Sequence, residues 1–334
     1  MKKLKVVLIG AGSVSFGRGT VADLMACEEL KESELMISLV DIDKKALDRM
    51  YRLANLLKER YGSKAKIEAT TKRKEVLPGA NYVITSVAQK RWQLWEKDFY
   101  IPVSYGFRHI LGENGGPGAA FHTLRSLHLM IPICKDMEKL CPKALLINFT
   151  NPESRVCLGV SKLTSVRFVG LCHGSFETLN VISRILEKPK ADIDLTIGGI
   201  NHFHWVLKIY NRSDGKDLYP EFHQRMKQSD WGLDSLTRCM YELFGLFAFP
   251  SASHIGEYVS FAYDISGPVL LNWGLGEVSQ KIEAEASEHG VVEGKEPLTE
   301  ELAQPSEELA VPIICDIEFD HKKKECNDYT YRNR

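Results

Sequence analysis

An apolar, β-branched run from Leu4 to Ile9 feeds directly into Gly10-Ala11-Gly12. A strand that ends on a glycine turn and opens a helix begins a βαβ unit, because side chains there would block close approach of backbone to helix or phosphate. The same texture continues along the first half of the chain. Leu35 to Val40, Ile67 to Thr71, Tyr82 to Ser86, Leu145 to Phe149 and Phe168 to Leu171 read as strands separated by helical stretches. One of those stretches, Asp43 to Arg60, carries Ala46, Met50, Leu53, Leu56 and Leu57 on one apolar stripe with charges opposite. Alternation of this kind predicts an α/β fold, a Rossmann-like doubly wound parallel sheet.

Past about residue 190 the alternation stops. TIGG, NHFHWVLKIYN and Trp- and Phe-rich stretches follow, with longer helices expected among them. With 334 residues, the chain suits two domains at roughly 150 residues each. The reading divides it into residues 1–195, a Rossmann-like domain, and residues 196–334, a second α+β domain. No repeat or low-complexity linker separates them. The acidic stretch 279–308 reads as a solvated helix and loop.

Composition removes several function classes. Lys and Arg total 43 against 44 Asp and Glu, so the net charge of −1 gives no field that would draw the chain to nucleic acid or an anionic membrane. The longest apolar run near the start, Val6 to Ile9, is too short for a signal-peptide core or a membrane span, which points to the cytoplasm. Cysteines at 27, 134, 141, 157, 172, 239, 315 and 326 form no Cys-x-x-Cys pair. That argues against a disulfide framework and a structural zinc site, and most are expected as buried thiols.

Two groups of residues suggest chemistry. In the first, Gly10, Gly12, Ser13, Val14, Ser15 and Phe16 form the glycine turn, with Ser15 where a third glycine would usually stand. The second strand ends in Val40-Asp41-Ile42-Asp43; a carboxylate there accepts ribose hydroxyls and repels a 2′-phosphate, so Asp41 favours NAD over NADP. The second group comprises GENGGPG (112–118), NFTNPE (148–153), CHGS (172–175) and GINHFHW (199–205). Two of these follow strands directly, where ligand crevices form in open α/β sheets. A Cys172 thiolate and a His202 imidazole suit a divalent metal, with carboxamides or substrate hydroxyls completing its shell.

In this order the residues resemble glycoside hydrolase family 4. The match runs through GAGSVSF, DID, ENGGPG to Arg125, NFTNPE, CHG, GGINHF, HIGEY and SEELAVPII, collinear over nearly the whole chain. The resemblance implies a glycosidase that requires NAD and a divalent metal, usually manganese, and departs from the two-carboxylate mechanism. It implies oxidation at the sugar C3, proton removal at C2, loss of the C1 substituent, addition of water and reduction back at C3. It assigns Cys172 and His202 to the metal and Asn151 to the substrate beside it. Gly10, Gly12, Ser13, Asp41, Glu113 and Asn148 fall on the cofactor side or at its boundary with the sugar, where Glu113 also meets substrate. Tyr258 is the expected base, with Tyr263 and Asp264 as alternatives, and His173 is a general acid, a sugar contact or a residue that orients Cys172.

His173-Gly174 after the cysteine most resembles the branch that cleaves α-galacturonides, ahead of α-glucosidases and α-galactosidases. A uronate wants a cationic partner, for which Arg91 and Arg108 are candidates. The competing classes are an NAD-dependent 2-hydroxyacid dehydrogenase and an inactive homologue. Family members usually continue about a hundred residues beyond AVPII, and residues 325–334 match nothing expected, so the second domain is expected to be incomplete. The expected partners are a small sugar and further copies of the chain as a homodimer or homotetramer, without nucleic acid or membrane.

Overall fold

The computed structural model describes residues 2–13 and 16–267. Val14 and Ser15 of the glycine turn, the acidic stretch 279–308 and residues 325–334 lie outside the described residues. Strand β1 (Lys3–Ile9) is followed by helices α1 (Phe16–Ala26) and α2 (Glu28–Lys31), then β2 (Glu34–Val40) and α3 (Lys44–Arg60). Next come β3 (Lys66–Thr70), α4 (Arg73–Val76), β4 (Tyr82–Thr85), α5 (Arg91–Ser104) and α6 (Gly116–Leu140). The first part closes with β5 (Leu145–Asn148), α7 (Glu153–Leu163), β6 (Arg167–Gly170) and α8 (Gly174–Leu186).

These six strands form one parallel sheet in the order β3-β2-β1-β4-β5-β6, the doubly wound arrangement expected from the sequence. All six expected strands are present with ends shifted by a residue. Because strand side chains alternate, successive residues feed opposite faces. Leu4, Val6 and Leu8 join one buried cluster with Leu35, Ile37 and Leu39. Val7 and Ile9 join a second with Val83 and Leu146.

Asp43 caps α3 by accepting from the Lys45 and Ala46 N–H groups, so the helix starts one residue later than the sequence suggests. Its buried seam is Leu47, Met50, Leu53, Ala54 and Leu57; Ala46 and Leu56 flank that seam, and Leu56 is exposed.

After a short 3₁₀ turn, β7 (Ile193–Ile200) and β8 (Phe203–Asn211) pair antiparallel as a hairpin. The helices behind it are α9 (Tyr219–Met226), α10 (Ser235–Phe244), α11 (Ala252–Ile255) and α12 (Ala262–Ser266), with a 3₁₀ turn over Gly256–Tyr258. The longer helices expected here do not form among the described residues: Pro220 and Pro250 restrict helix extension, and Gly245 closes α10 at a positive φ. No helix among the described residues is long and apolar enough to cross a membrane.

The topology carries function-bearing segments to one edge. Gly10–Ser13 leave β1, Asp41 leaves β2, Asn148–Pro152 leave β5 and Cys172 leaves β6, all at the C-terminal side of the sheet. Beneath this edge Gly170 faces a buried Glu153; a Cβ on Gly170 would overlap Glu153 Oε1 and stand 2.6 Å from Cys157 Sγ. Gly170→Ala should therefore destabilise the fold by about 1–3 kcal/mol, seen as a lower denaturation midpoint; an unchanged midpoint would refute this packing.

Candidate functional site

At the β1–β2 edge, Gly10 adopts φ +88°, and a Cβ there would collide with the Ser86 carbonyl. The turn must be glycine for packing alone. The Gly12 N–H donates to Asp41 Oδ2 at 2.8 Å, and the Asp43 N–H donates to Oδ1 at 2.9 Å. Ser13 Oγ accepts from the Phe16 N–H as α1 starts. Asp41 thus ties glycine turn to strand end while remaining partly exposed, and Ile42 beside it is 92% exposed. A half-open carboxylate next to an uncovered apolar side chain fits a ribose and the base attached to it.

Cys172 and His202, 30 residues apart in sequence, meet with Sγ 3.3 Å from Nε2. His202 sits in the two-residue turn of the β7–β8 hairpin at φ +62°, a conformation that is uncommon for a side chain larger than glycine and clusters at functional sites. It is 5% exposed, stacks on Phe249 and meets the His254 ring edge-to-face. Burial pushes the Cys172 thiol up, opposed by the Gly174 N–H and the Asn201 side chain. Burial pushes His202 well below its ordinary range, with His254 and His204 adding to the effect.

With zinc, bonds of about 2.3 Å to sulfur and 2.0–2.1 Å to nitrogen put two ligands of one ion roughly 3.1–3.6 Å apart, a span that a thiol–imidazole hydrogen bond also has. The observed contact lies in that range. Asn201 Oδ1 and His202 Nδ1 are buried with no hydrogen-bond partner, so polar capacity remains beside the pair. No group of three or more His, Cys, Asp or Glu positioned for a metal occurs among the described residues. An ion held by this pair would take its other ligands from carboxamide, water or substrate oxygens.

The remaining expected residues separate into groups. The Tyr258 hydroxyl donates to the Asn201 carbonyl at 3.3 Å, and its ring stacks on Phe203, next to His202. Burial raises its pKa to about 12, while the Arg155 guanidinium, 5.7 Å from the ring centre, pulls it down. Tyr263 and Asp264 are both engaged by Arg108, which lies 4.5 Å over the tyrosine ring and pairs with the carboxylate. Asn151 is partly buried and its carbonyl accepts from Ser126 Oγ at 2.6 Å.

Asn148 is 1% exposed, and its carboxamide is engaged within the protein by Thr85 and Thr150. Cys172 is partly buried just after β6; His173, the next residue, is exposed just before α8, and partial desolvation of its ring lowers its pKa. Glu113 is 4% exposed and pairs with Arg91 at 2.8 Å across a cleft also lined by Trp95, Asp98, His122 and Arg125. Arg91 and Arg108 are thus both partnered by carboxylates.

Three features escaped the sequence reading. Arg155 carried no signal, because it sits mid-motif in NPESR. Glu257 was visible in HIGEY, but its partners lie more than 140 residues away and no periodicity connects them. Ser126 on α6 supports Asn151 over 25 residues. The expectation that most cysteines are buried holds for Cys134, Cys141 and Cys157, whereas Cys27, Cys172 and Cys239 are partly exposed; all six are free thiols.

A doubly wound sheet with a glycine turn, a strand-end aspartate and a buried Cys–His pair defines a class of nucleotide-fold proteins with a candidate metal centre. The chain belongs to the family 4 glycosyl hydrolases: residues 5–188 match the model of that family and residues 197–327 that of its C-terminal domain. It is 31% identical to an alpha-glucosidase of Erwinia rhapontici over 78% of this chain and 66% of the relative. It is 31% identical to an alpha-galactosidase of Bacillus subtilis over 80% of this chain and 62% of the relative. For an alpha-galacturonidase of Thermoanaerobacter italicus the values are 28%, 79% and 61%. The chain thus spans less than two thirds of these relatives' length.

Among solved structures, it resembles a 6-phospho-alpha-glucosidase from gut microorganisms in complex with NAD and Mn2+. That likeness has a TM-score of 0.74 and 20% identity, and covers 94% of this chain and 73% of that one. A 6-phospho-beta glucosidase from Thermotoga maritima with manganese, NAD+ and glucose-6-phosphate gives a TM-score of 0.69 and 22% identity, covering 88% and 69%. These likenesses establish the fold.

The site's histidines make a measurable demand on stability. Burial lowers His122, His204 and His254 each to about 4, so all three are neutral in the fold. In the unfolded chain they take up protons near the ordinary value, about 6.5. Between those values the unfolded state binds more protons, so their contribution to stability is lost as pH falls from 6.5 toward 4. His204, whose Nε2 meets Thr178 Oγ1 at 3.1 Å, has burial as its sole cause. His204→Gln should therefore flatten the acid-side decline by up to about 1.4 kcal/mol per pH unit, measured by urea unfolding of metal-free protein; parallel pH curves would contradict it.

Proposed function

We propose that this chain is the cofactor- and metal-binding part of a glycosidase that cleaves α-glycosides, with α-galacturonides as substrate, by NAD-dependent oxidation and elimination with a divalent metal. The observation that carries the reading is the Cys172–His202 contact beside Tyr258 in a family 4 chain. Relatives named for α-glucoside, α-galactoside and α-galacturonide cleavage support the class, and neighbours crystallised with NAD and manganese support the cofactors. The dehydrogenase alternative accounts for neither the family match nor the Cys–His pair, and an inactive homologue is told apart by the turnover test below.

When bound, NAD offers a hydride acceptor and the ion a Lewis acid. The chain's own residues do the rest. Asp41 accepts ribose hydroxyls beside the glycine turn; Cys172 and His202 hold the ion; Asn151, braced by Ser126, orients the sugar. Tyr258, as phenolate, takes the C2 proton. Its burial alone makes it too weakly acidic near neutrality, and Arg155 and a cation at Cys172–His202 act in the opposite direction. His173, at the exposed mouth, contacts the sugar or, in the protonated form that its lowered pKa makes scarcer near neutrality, donates to the departing oxygen.

The structure bears on the sugar's charge. Arg91 and Arg108 are held by Glu113 and Asp264, whereas Arg155 has no carboxylate partner among the described residues. We assign the uronate carboxylate to Arg155. We also read residues 1–195 and 196–334 as the two functional domains. The free thiols agree with a reducing cytoplasm. Exposed Tyr105, Leu124 and Leu158 agree with self-association into a dimer or tetramer.

The test is turnover of 4-nitrophenyl α-D-galacturonide with NAD⁺, Mn²⁺ and a reductant in D₂O, beside the matching galactoside and glucoside. The expected result is aglycone release without net NADH and deuterium at C2 of the product. Full activity without NAD⁺ would refute the mechanism. Arg155→Met should raise KM for the galacturonide roughly 10- to 100-fold more than for the galactoside; equal effects would remove the carboxylate assignment.

A further inference from the structure

One carboxylate in the site is far more heavily bonded than its surroundings require. Glu257, in the 3₁₀ turn Gly256–Tyr258, receives the Glu113 N–H at 2.7 Å, the Asn114 N–H at 2.9 Å and the Gly115 N–H at 3.2 Å. Asn114 Nδ2 adds a fourth donor at 3.0 Å. Three consecutive backbone N–H groups facing one anion form a nest of the kind that elsewhere binds phosphate or other anions; here the protein's own side chain fills it. The nest leads directly into α6, whose N-terminal dipole favours the same negative charge.

Contact is close on the backbone side too. A Cβ on Gly115 would overlap the Glu257 carbonyl, so only glycine allows the two turns to touch. Glu113, the first residue of the nest, points its own carboxylate to Arg91, and Glu257 is followed by Tyr258. A residue late in the described chain therefore sets the shape of a turn that carries a cleft-lining acid, and it does so from the peptide unit next to the candidate base.

We infer that Glu257 is a positioning residue: its carboxylate clamps the Glu113–Gly115 turn, so that Glu113 and Tyr258 are carried on one hydrogen-bonded unit. The inference rests on the proposed glycosidase reading for its kinetic consequence but not for the clamp itself. Burial and the Glu113 charge raise the Glu257 pKa to about 7, against which the donors from Asn114 and Gly115 favour the anion, so the clamp rests on the geometry of its four donors. In Glu257→Gln the amide oxygen can keep the Oε1 bonds but without the charge that strengthens them, while its NH2 at Oε2 faces Asn114 Nδ2, so the turn would loosen.

Amide hydrogen exchange of the whole chain tests the clamp without any activity. Losing charge-assisted bonds should speed exchange at Glu113, Asn114 and Gly115 by roughly 10-fold or more, with the amides of β1 and α3 unchanged. Kinetics of the same variant then read positioning: kcat is expected to fall by about 10-fold or more, while NAD⁺ affinity, set at Asp41, stays within about twofold. Unchanged exchange at the three amides overturns the clamp. Accelerated exchange with wild-type kcat and KM in an active enzyme overturns positioning. A wild type that cleaves no α-glycoside defeats the glycosidase reading instead, and the exchange result still decides the clamp. Should Glu257→Gln fail to fold, Asn114→Ala, which removes one donor of the four, replaces it with the same criteria.

Discussion

The approach of the Cys172 sulfur to the His202 imidazole, 3.3 Å apart and largely out of water, is the contact on which the rest of the site depends. It joins the end of the last parallel strand to the turn of the hairpin that follows, and with the Glu257 bonds and the packing of Phe99 and Leu111 against Leu236 and Met240 it ties the second part of the chain to the sheet edge. The hairpin meets this constraint with a histidine at φ +62°, and such backbone strain persists only where the surrounding packing holds it. Phe249 under one face of the ring and His254 against it supply that packing.

Around this pair the environment keeps ionisable groups uncharged. Burial raises Cys172 and Tyr258 and lowers His202, His204 and His254, so the metal-free protein holds thiol, phenol and imidazoles in their neutral forms. A cation placed there reverses that balance, favouring thiolate and phenolate together. Three carboxylates in this region are paired with arginines: Glu113 with Arg91, Asp98 with Arg125, and Asp264 with Arg108. Glu257, bonded to four N–H donors in place of a cation, and Arg155, without a carboxylate among the described residues, both border Tyr258.

Local chemistry explains how much of this was readable beforehand. Runs such as Leu4 to Ile9 alternate between two buried faces, so strands, their parallel arrangement and the edge that carries Gly10, Asp41 and Cys172 followed from periodicity and turn residues. The seam of α3 was misplaced at Ala46 and Leu56 because the phase of a helix depends on its neighbours as well as its own spacing. Short helices behind the hairpin were overestimated because aromatic content there serves packing against β8. Long-range pairings were invisible: nothing in HIGEY indicates that its glutamate closes a turn 142 residues earlier, and nothing in NPESR indicates that its arginine lies over a tyrosine.

The central claim, that Cys172 and His202 hold one divalent ion, is tested most directly by titrating reduced protein with cobalt(II) and recording thiolate-to-metal charge-transfer absorption. The account predicts a band that saturates at a single ion per chain and disappears in both Cys172→Ser and His202→Ala. Absence of the band at saturating cobalt, or its survival in either variant, would contradict it.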